Sequence, residues 1–414
     1  MNPVTAKTRK AADAKREAYF GLPAEVRFCK RCVISNQRPN SCVEYYHTAE
    51  SKKETIRIDE EGVCDACRFA EVKRGVIDWK QREKELKELC DQYRKHDGSY
   101  DCIVPGSGGK DSARASHVLK YKYGMHPLTI TWAPHLYTEI GWKNFQNWIH
   151  VGGCDNNLFT PNGKVHRLLT RLAVQNLLNP FQPFMIGQKT LAPHMALRHK
   201  VPLVFFGENE AEYGNPISDN RSPLRAKNYF TKASRDKIHL GGVSLTELIE
   251  KHKVEPADLQ AYLPADDAQL EEQGVKVHYL GYYIKWIPQE SYYYAVEHTG
   301  FEANPERTEG TYSKYNSLDD RIDGFHYWTT YVKYGIGRAT YDAAQEIRSG
   351  HIDREEGVAL VKRFDGEFPK KYYKEILEYL GMDEKEFHET VDKFRSPHLW
   401  ERHGGEWKLR HRVE

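Results

Sequence analysis

From residue 78 to residue 96, apolar positions recur at helical spacing inside a charged run. Leu86, Leu89, Cys90 and Tyr93 form an i, i+3, i+4, i+7 stripe. That pattern predicts an amphipathic helix that lays one face on the next part of the chain. From residue 100 the period changes. Tyr100 to Pro105, Pro127 to Ala133 and the apolar Val201 to Phe206 are short runs of strand character. Helical stretches stand between them, one opening near Asp111 and one marked by Val165, Leu168, Leu169 and Leu172. Strands alternating with helices predict an α/β fold with a parallel sheet covered on both faces. Upstream, Thr55-Ile56-Arg57-Ile58-Asp59 alternates as a strand does, with turn signals at Arg38-Pro39-Asn40 and Glu61-Gly62. Beyond about residue 265 the chain turns rich in Tyr, Trp and charge, then reads as helices. There Asp353-x-x-Glu356 and Asp383-x-x-Glu386 resemble capping boxes, and Gly350 and Gly381 sit where C-terminal glycines belong.

Length and composition narrow the class. A chain of 414 residues predicts two or three domains. With 39% hydrophobic and 12% aromatic residues it has material for a core, which excludes wholesale disorder. Lys and Arg total 61 against 59 Asp and Glu, a formal charge of +2. Such balance argues against a dedicated nucleic-acid binder, though it leaves room for a local basic patch. The most apolar run, Val201 to Phe206, falls far below the roughly 20 residues a membrane-crossing helix needs. The basic N-terminal segment, with Lys7, Arg9, Lys10, Lys15 and Arg16, lacks the apolar stretch of a secretory signal, so the expected compartment is the cytoplasm.

Pro105-Gly106-Ser107-Gly108-Gly109-Lys110-Asp111-Ser112 follows a predicted strand and opens a predicted helix. Glycines let the backbone turn tightly and aim successive N–H groups at one point, and the helix N-terminus adds its positive end. Ser107 and Ser112 can donate to phosphate oxygens and Lys110 can neutralise charge. Asp111 suits a helix cap or a metal better than a phosphate. The spacing differs from the G-x-x-x-x-G-K-[ST] loop.

Cys29-x-x-Cys32 and Cys64-x-x-Cys67 each present two thiolates from one tight turn, and together they suit a closed tetrahedral zinc site of structural kind. Cys102 and Cys90 read as core packing. Cys154, in Gly152-Gly153-Cys154-Asp155, reads as loop-borne and is the candidate reactive thiol.

The run Ser107 to Ser112 resembles the PP-loop of N-type ATP pyrophosphatases, with its signature S-G-G-x-D-S. Further stretches narrow the resemblance: Thr129 to Pro134, Gly141 to Phe145, Phe206-Gly207-Glu208-Asn209-Glu210 with Glu212-Tyr213-Gly214, Asp319 to Tyr327 and Lys333 to Ala339. With the two cysteine pairs they resemble the N-acetyl sugar amidotransferase family of surface-polysaccharide biosynthesis, over nearly the whole chain from about residue 26 to about residue 400. Taken with the patterning along the chain, the resemblance gives a PP-loop domain at 98–265, a zinc ribbon at 26–75, a connecting helix at 76–97 and a mainly helical substrate or interaction region at 266–414, while residues 1–25, outside the resemblance, read as a basic arm. It also implies a reaction: ATP activates the acetamido oxygen of a sugar, usually nucleotide-linked, with release of pyrophosphate. Ammonia then displaces AMP to leave an acetamidino group. ATP, Mg2+ and structural Zn2+ are the implied cofactors. No glutaminase is visible in the chain, so a HisH-like partner, with a HisF-like companion, would supply the ammonia.

Several side chains receive roles with a plain structural alternative beside each. Trp132 and Gly207 stand at strand ends that border a ligand crevice. Trp132 flanks adenine or simply packs, and Gly207 lets a ligand approach the backbone. Glu208 holds magnesium or orients the amide nitrogen, or else is a solvated residue at the sheet edge. Lys333 and Arg338 grip a sugar carboxylate or diphosphate, or else form surface salt bridges. Glu210, Glu212, Asp319, Asp320 and Asp323 are ligand contacts or solvated acids, and Tyr292-Tyr293-Tyr294 reads as core and interface. Two rivals stand beside the amidotransferase: a PP-loop enzyme that modifies tRNA, for which Cys154 would be the thiol, and a non-catalytic zinc-ribbon adaptor.

Overall fold

The computed structural model describes residues 16–48, 50–215, 222–225 and 238–414. Most of the basic arm expected at 1–25 lies outside the described residues. At the centre is a five-stranded, wholly parallel sheet in the order β3-β2-β1-β4-β7. Its strands are β1 (Cys102–Pro105), β2 (Pro127–Trp132), β3 (Asp155–Phe159), β4 (Leu203–Phe206) and β7 (Lys276–Tyr279). Among the described residues two small antiparallel pairs complete the set, β5 (His239–Leu240) with β6 (Val243–Ser244) and β8 (Trp400–His403) with β9 (Glu406–Leu409). β2 is buried along its whole length, Thr129 and Thr131 included, because both its faces are covered.

The helix Lys110–Tyr121 follows β1, and Gly163–Leu177 and Gln182–His199 connect β3 to β4. The helix Trp79–Tyr93 forms as its stripe predicts. Leu86 and Cys90 are buried in a cluster with Cys102, Phe205 and Tyr283. Asp78 caps this helix, accepting from the Lys80 and Gln81 amides.

Three differences from the expected organisation have clear causes. The sheet recruits its last strand from residues 276–279, past the expected boundary at 265, and pairs it with β4. β3 is a polar edge strand, Asp-Asn-Asn-Leu-Phe, whose sequence lacks the apolar residues that alternate along its neighbour β2. Residues 55–59 form no strand but isolated bridges, Pro39 to Thr55 and Ile58 to Cys64.

The cysteine-bearing segment has no core of its own. Val33, Ile34, Ile56 and Val63 share one apolar cluster with Tyr334, Ile336, Ala343, Val358 and Trp400 of the C-terminal region. That region is built on helices Asp323–Tyr334, Arg338–Ser349, Arg354–Phe364, Tyr373–Leu380 and Glu384–Asp392. Asp353 and Asp383 cap as predicted, accepting from the Glu356 and Glu386 amides, and Gly350 and Gly381 close their helices in the left-handed conformation.

Candidate active site

β1 is flanked by β2 on one side and by β4 on the other, so the chain reverses its winding direction there. Crevices at the carboxyl ends of strands at such a point are where open α/β sheets bind ligands. The loop from Gly106 to Gly109 occupies this position. At Gly108 φ is +85°, and an added Cβ would stand 2.8 Å from the Phe145 Cα. A Cβ at Gly106 would meet the Ser112 Cβ at 2.1 Å. The Ser112 hydroxyl donates back to the Gly109 carbonyl at 3.0 Å. The helix Lys110–Tyr121 starts from Gly109 with no side chain capping it, which leaves its N-terminal end open to an anion.

Lys110 Nζ lies 2.7 Å from Asp111 Oδ2, and Trp286 Nε1 donates to Asp111 Oδ1 at 2.8 Å. Opposite, at the end of β4, Gly207 approaches the backbone of Asp111: an added Cβ would lie 3.4 Å from its carbonyl oxygen. Glu208 comes next and accepts a hydrogen bond from the Tyr213 hydroxyl at 3.1 Å. Burial, reinforced by the Asp111 charge, pushes the Glu208 carboxyl up to about 7, against the opposing pull of Lys110.

Two cavities open onto this loop. One, of about 300 Å³, lies over the ends of β1, β2 and β4 and is lined by Gly106, Ser107, Ser112, Trp132, Gly207 and Glu208 among others. The other, of about 330 Å³, lies between the loop, the cysteine-bearing segment and the C-terminal region. Ser107 to Asp111, Glu208, Tyr213 and Trp286 form one wall; Arg38 comes from the cysteine-bearing segment; Tyr315, Asp319, Arg338 and Arg348 face them.

Most residues expected at a site thus gather around the loop, Lys333 excepted. Gly106, Ser107, Gly108, Gly109, Lys110, Asp111, Ser112, Trp132, Gly207, Glu208 and Arg338 all line one cavity or both. Trp132 both packs and lines: its ring lies 4.9 Å from that of Phe159, and Gly187 leaves room for it. Arg338 is steadied by Asp342, which accepts from its Nε at 2.9 Å. Lys333 is elsewhere. It sits on the inward face of its helix, 1% exposed, with Nζ 2.7 Å from Glu44 Oε1, 2.8 Å from His47 Nε2 and 2.5 Å from the Leu177 carbonyl. Its placement against substrate is therefore corrected: it joins the C-terminal region to the cysteine-bearing segment. Although burial works to raise it, Lys333 and Lys53 hold the Glu44 carboxyl well below the usual range.

The other acids divide as follows. Glu212 pairs with the buried Lys73 at 2.5 Å, and Glu210 with Arg225 at 2.9 Å. Asp320 accepts from the His135 amide at 2.7 Å and from its ring at 2.8 Å, so it organises the loop after β2. Asp319 lines the larger cavity, and burial raises its carboxyl. Tyr292 stacks on Tyr315 at 4.6 Å, whereas Tyr293 is exposed. Cys154 departs from expectation. It is 3% exposed, its Sγ lies 3.7 Å from the Gly152 carbonyl, and burial raises its pKa, the opposite of what a reactive thiol needs.

Arg38, Trp286, Tyr315 and Arg348 were not anticipated at the site. Arg38 stood inside a turn signal, and the other three come from segments far from the loop in sequence. Tyr213 had a signal, since it lies five residues beyond Glu208.

The four cysteines Cys29, Cys32, Cys64 and Cys67 are buried, and their sulfurs lie within 4.8 Å of one another. Backbone amides of Arg31, Cys32 and Cys64 point at Cys29 Sγ at 3.3 to 3.5 Å, as they do around metal-bound thiolates. Four sulfurs with no further donor fit a closed, structural zinc site.

Residues 309–414 match the family model described as LPS biosynthesis protein WbpG-like, C-terminal domain. An uncharacterized protein of Methanocaldococcus jannaschii is 32% identical over 89 residues, which span 22% of this chain and 31% of that relative. Among solved structures, the NH3-dependent NAD synthetase from Campylobacter jejuni is similar over 48% of this chain and 94% of its own, at 13% identity and a TM-score of 0.27. The NMN synthetase from Francisella tularensis is similar over 48% of this chain and 93% of its own, at 12% identity and a TM-score of 0.27. The last quarter of the chain is thus similar to the WbpG-like C-terminal domain, in line with the resemblance to surface-polysaccharide enzymes. No helix among the described residues is long and apolar enough to cross a membrane.

Proposed function

We propose that this chain is an ATP-dependent, AMP- and pyrophosphate-forming amidotransferase. It converts an acetamido group of a nucleotide-linked sugar to an acetamidino group in the building of a bacterial surface polysaccharide such as LPS O-antigen. One observation carries the reading. A glycine cradle at a helix N-terminus and a carboxyl poised at about 7 bound a single cavity, whose far wall is the WbpG-like domain.

In this reading Gly106 to Ser112 hold the departing pyrophosphate, and Lys110 offsets the charge that grows as it leaves. Trp132 flanks the adenine in the smaller cavity. Asp111, at the loop's mouth, fits Mg2+, which when bound would neutralise phosphate oxygens. The amide oxygen bonds to the α-phosphorus as the bond to the bridging oxygen breaks, and pyrophosphate leaves. Ammonia then bonds to the activated carbon, the carbon–oxygen bond breaks, AMP departs and one nitrogen proton is given up. Glu208 is near half-ionised at neutral pH and accepts that proton. Arg338 contacts the sugar substrate. Ammonia comes from a separate HisH-like glutaminase, with a HisF-like companion, in the cytoplasm.

The test supplies ATP, Mg2+ and ammonium with nucleotide-linked diacetamido sugars, and with unmodified tRNA in parallel. The expected result is AMP and pyrophosphate release with one sugar only, whose mass shows oxygen replaced by NH. AMP release with tRNA alone would overturn the proposal.

A further inference from the structure

The two cysteine pairs bracket a segment that does more than brace the fold. Arg38 lies between them, and its backbone is pinned on both sides: its amide donates to the Ser35 carbonyl at 3.1 Å, and its carbonyl accepts from the Ile56 amide at 2.9 Å. The side chain runs into the larger cavity and is 6% exposed. Its guanidinium lies beside two aromatic rings, 6.0 Å from the centroid of Tyr213 and 5.6 Å from that of Tyr341. Among the described residues it makes no hydrogen bond or salt bridge, and its Nη1 is buried without a partner.

The other cations of this cavity are already held. Lys110 meets Asp111, Arg338 meets Asp342, and Arg348 donates to the Glu212 carbonyl and to Gln345. A buried guanidinium without an acceptor is costly, and a protein keeps one where a ligand supplies the missing acceptor. The planar fork of Arg matches a carboxylate or a phosphate. Tyr213 links the position to the chemistry, because the same side chain faces Arg38 with its ring and donates its hydroxyl to Glu208.

We infer that Arg38, carried by the segment between the cysteine pairs, binds an anionic group of the acceptor substrate, a carboxylate or a phosphate, in the cavity beside Glu208. This deepens the proposed amidotransfer and rests on it for the nature of the acceptor, an acetamido sugar. The cysteine-bearing module then acts directly in substrate selection.

The test measures binding to the full-length protein by calorimetry, with α,β-methylene-ATP present. Three probes separate the sources of charge: N-acetylglucosamine has none, N-acetylglucosamine 1-phosphate has a phosphate, and N-acetylmuramic acid has a carboxylate. The wild-type chain should prefer one anionic probe over the neutral one by about tenfold or more, and Arg38→Gln should erase that preference. Affinity for the ATP analogue should not change. Arg38→Met should raise the melting temperature without sugar, because it removes an unpaired buried charge.

Three binding results would overturn the inference. They are a preference that survives in Arg38→Gln, no preference in the wild type, or a parallel loss of affinity for the ATP analogue. A lower melting temperature in both variants would make Arg38 a structural residue and overturn it equally. Failure of the amidotransferase reading looks different: no acetamido sugar releases AMP, whatever the binding data show.

Discussion

Replacing Glu208 by Gln isolates the chemistry of the carboxyl from its shape. In the folded chain this group titrates at about 7 instead of 4.5, first because burial penalises its charged form and then because Asp111 lies nearby. Its folded-state pKa lies above its unfolded one, so the neutral carboxyl's contribution is complete below about pH 4.5 and is lost as pH rises through about 7. At about 1.4 kcal/mol per pH unit, the full gap corresponds to about 3.5 kcal/mol, and solvent access to a half-buried group reduces this to about 1–2 kcal/mol. Gln carries no such charge. Glu208→Gln should therefore match the wild type in melting temperature near pH 5 and exceed it by about 2–4 °C near pH 8.5. Turnover at saturating ammonium should fall by about 10²–10⁴-fold, and the rise in wild-type activity with an apparent pKa near 7 should vanish. Thermal melts across pH, paired with AMP release over the same range, read both effects. A variant with wild-type turnover and an unchanged acid limb would refute the role of this carboxyl. A melting difference that does not vary with pH would refute the electrostatic account.

Four further outcomes are expected. Gly106→Ala should abolish AMP formation in a chain that still folds, because its Cβ would displace Ser112 from the loop; wild-type AMP release would show that the loop does not hold phosphate. Lys333→Met should cost about 3–5 kcal/mol in urea unfolding, since it leaves Glu44 facing fewer cations in a buried setting, while KM for the sugar stays unchanged. Cys154→Ala should keep full activity, and the native thiol should resist alkylation until the chain unfolds; rapid alkylation in the native state would contradict its burial. Metal analysis should find one zinc per chain, and a strong chelator should lower the melting temperature, because the four cysteines share a core with the C-terminal helices.

Local chemistry sufficed for part of this. The glycines and serines of 106–112, the two cysteine pairs, the stripe on helix 79–93 and the caps at Asp353 and Asp383 are features whose physical cause lies within a few residues, so they were legible in order along the chain. Turn geometry, thiolate spacing and helical period do not depend on what packs against them. Long-range pairing decided the rest. β3 is a strand because β2 offers an edge to it, not because Asp155 to Phe159 is apolar, and β7 enters the sheet from beyond the expected boundary for the same reason. Lys333 and Arg338 are five residues apart and alike in sequence, yet the turn at Gly335, with φ at +69°, separates their two helices. One side chain is sealed against Glu44 and the other lines the cavity. Arg38, next to a proline in a turn signal, carried no signal of a binding role. Only the shared core of the cysteine-bearing segment and the C-terminal helices brings it to the cavity, because contacts between residues hundreds of positions apart are set by which apolar faces must be buried together.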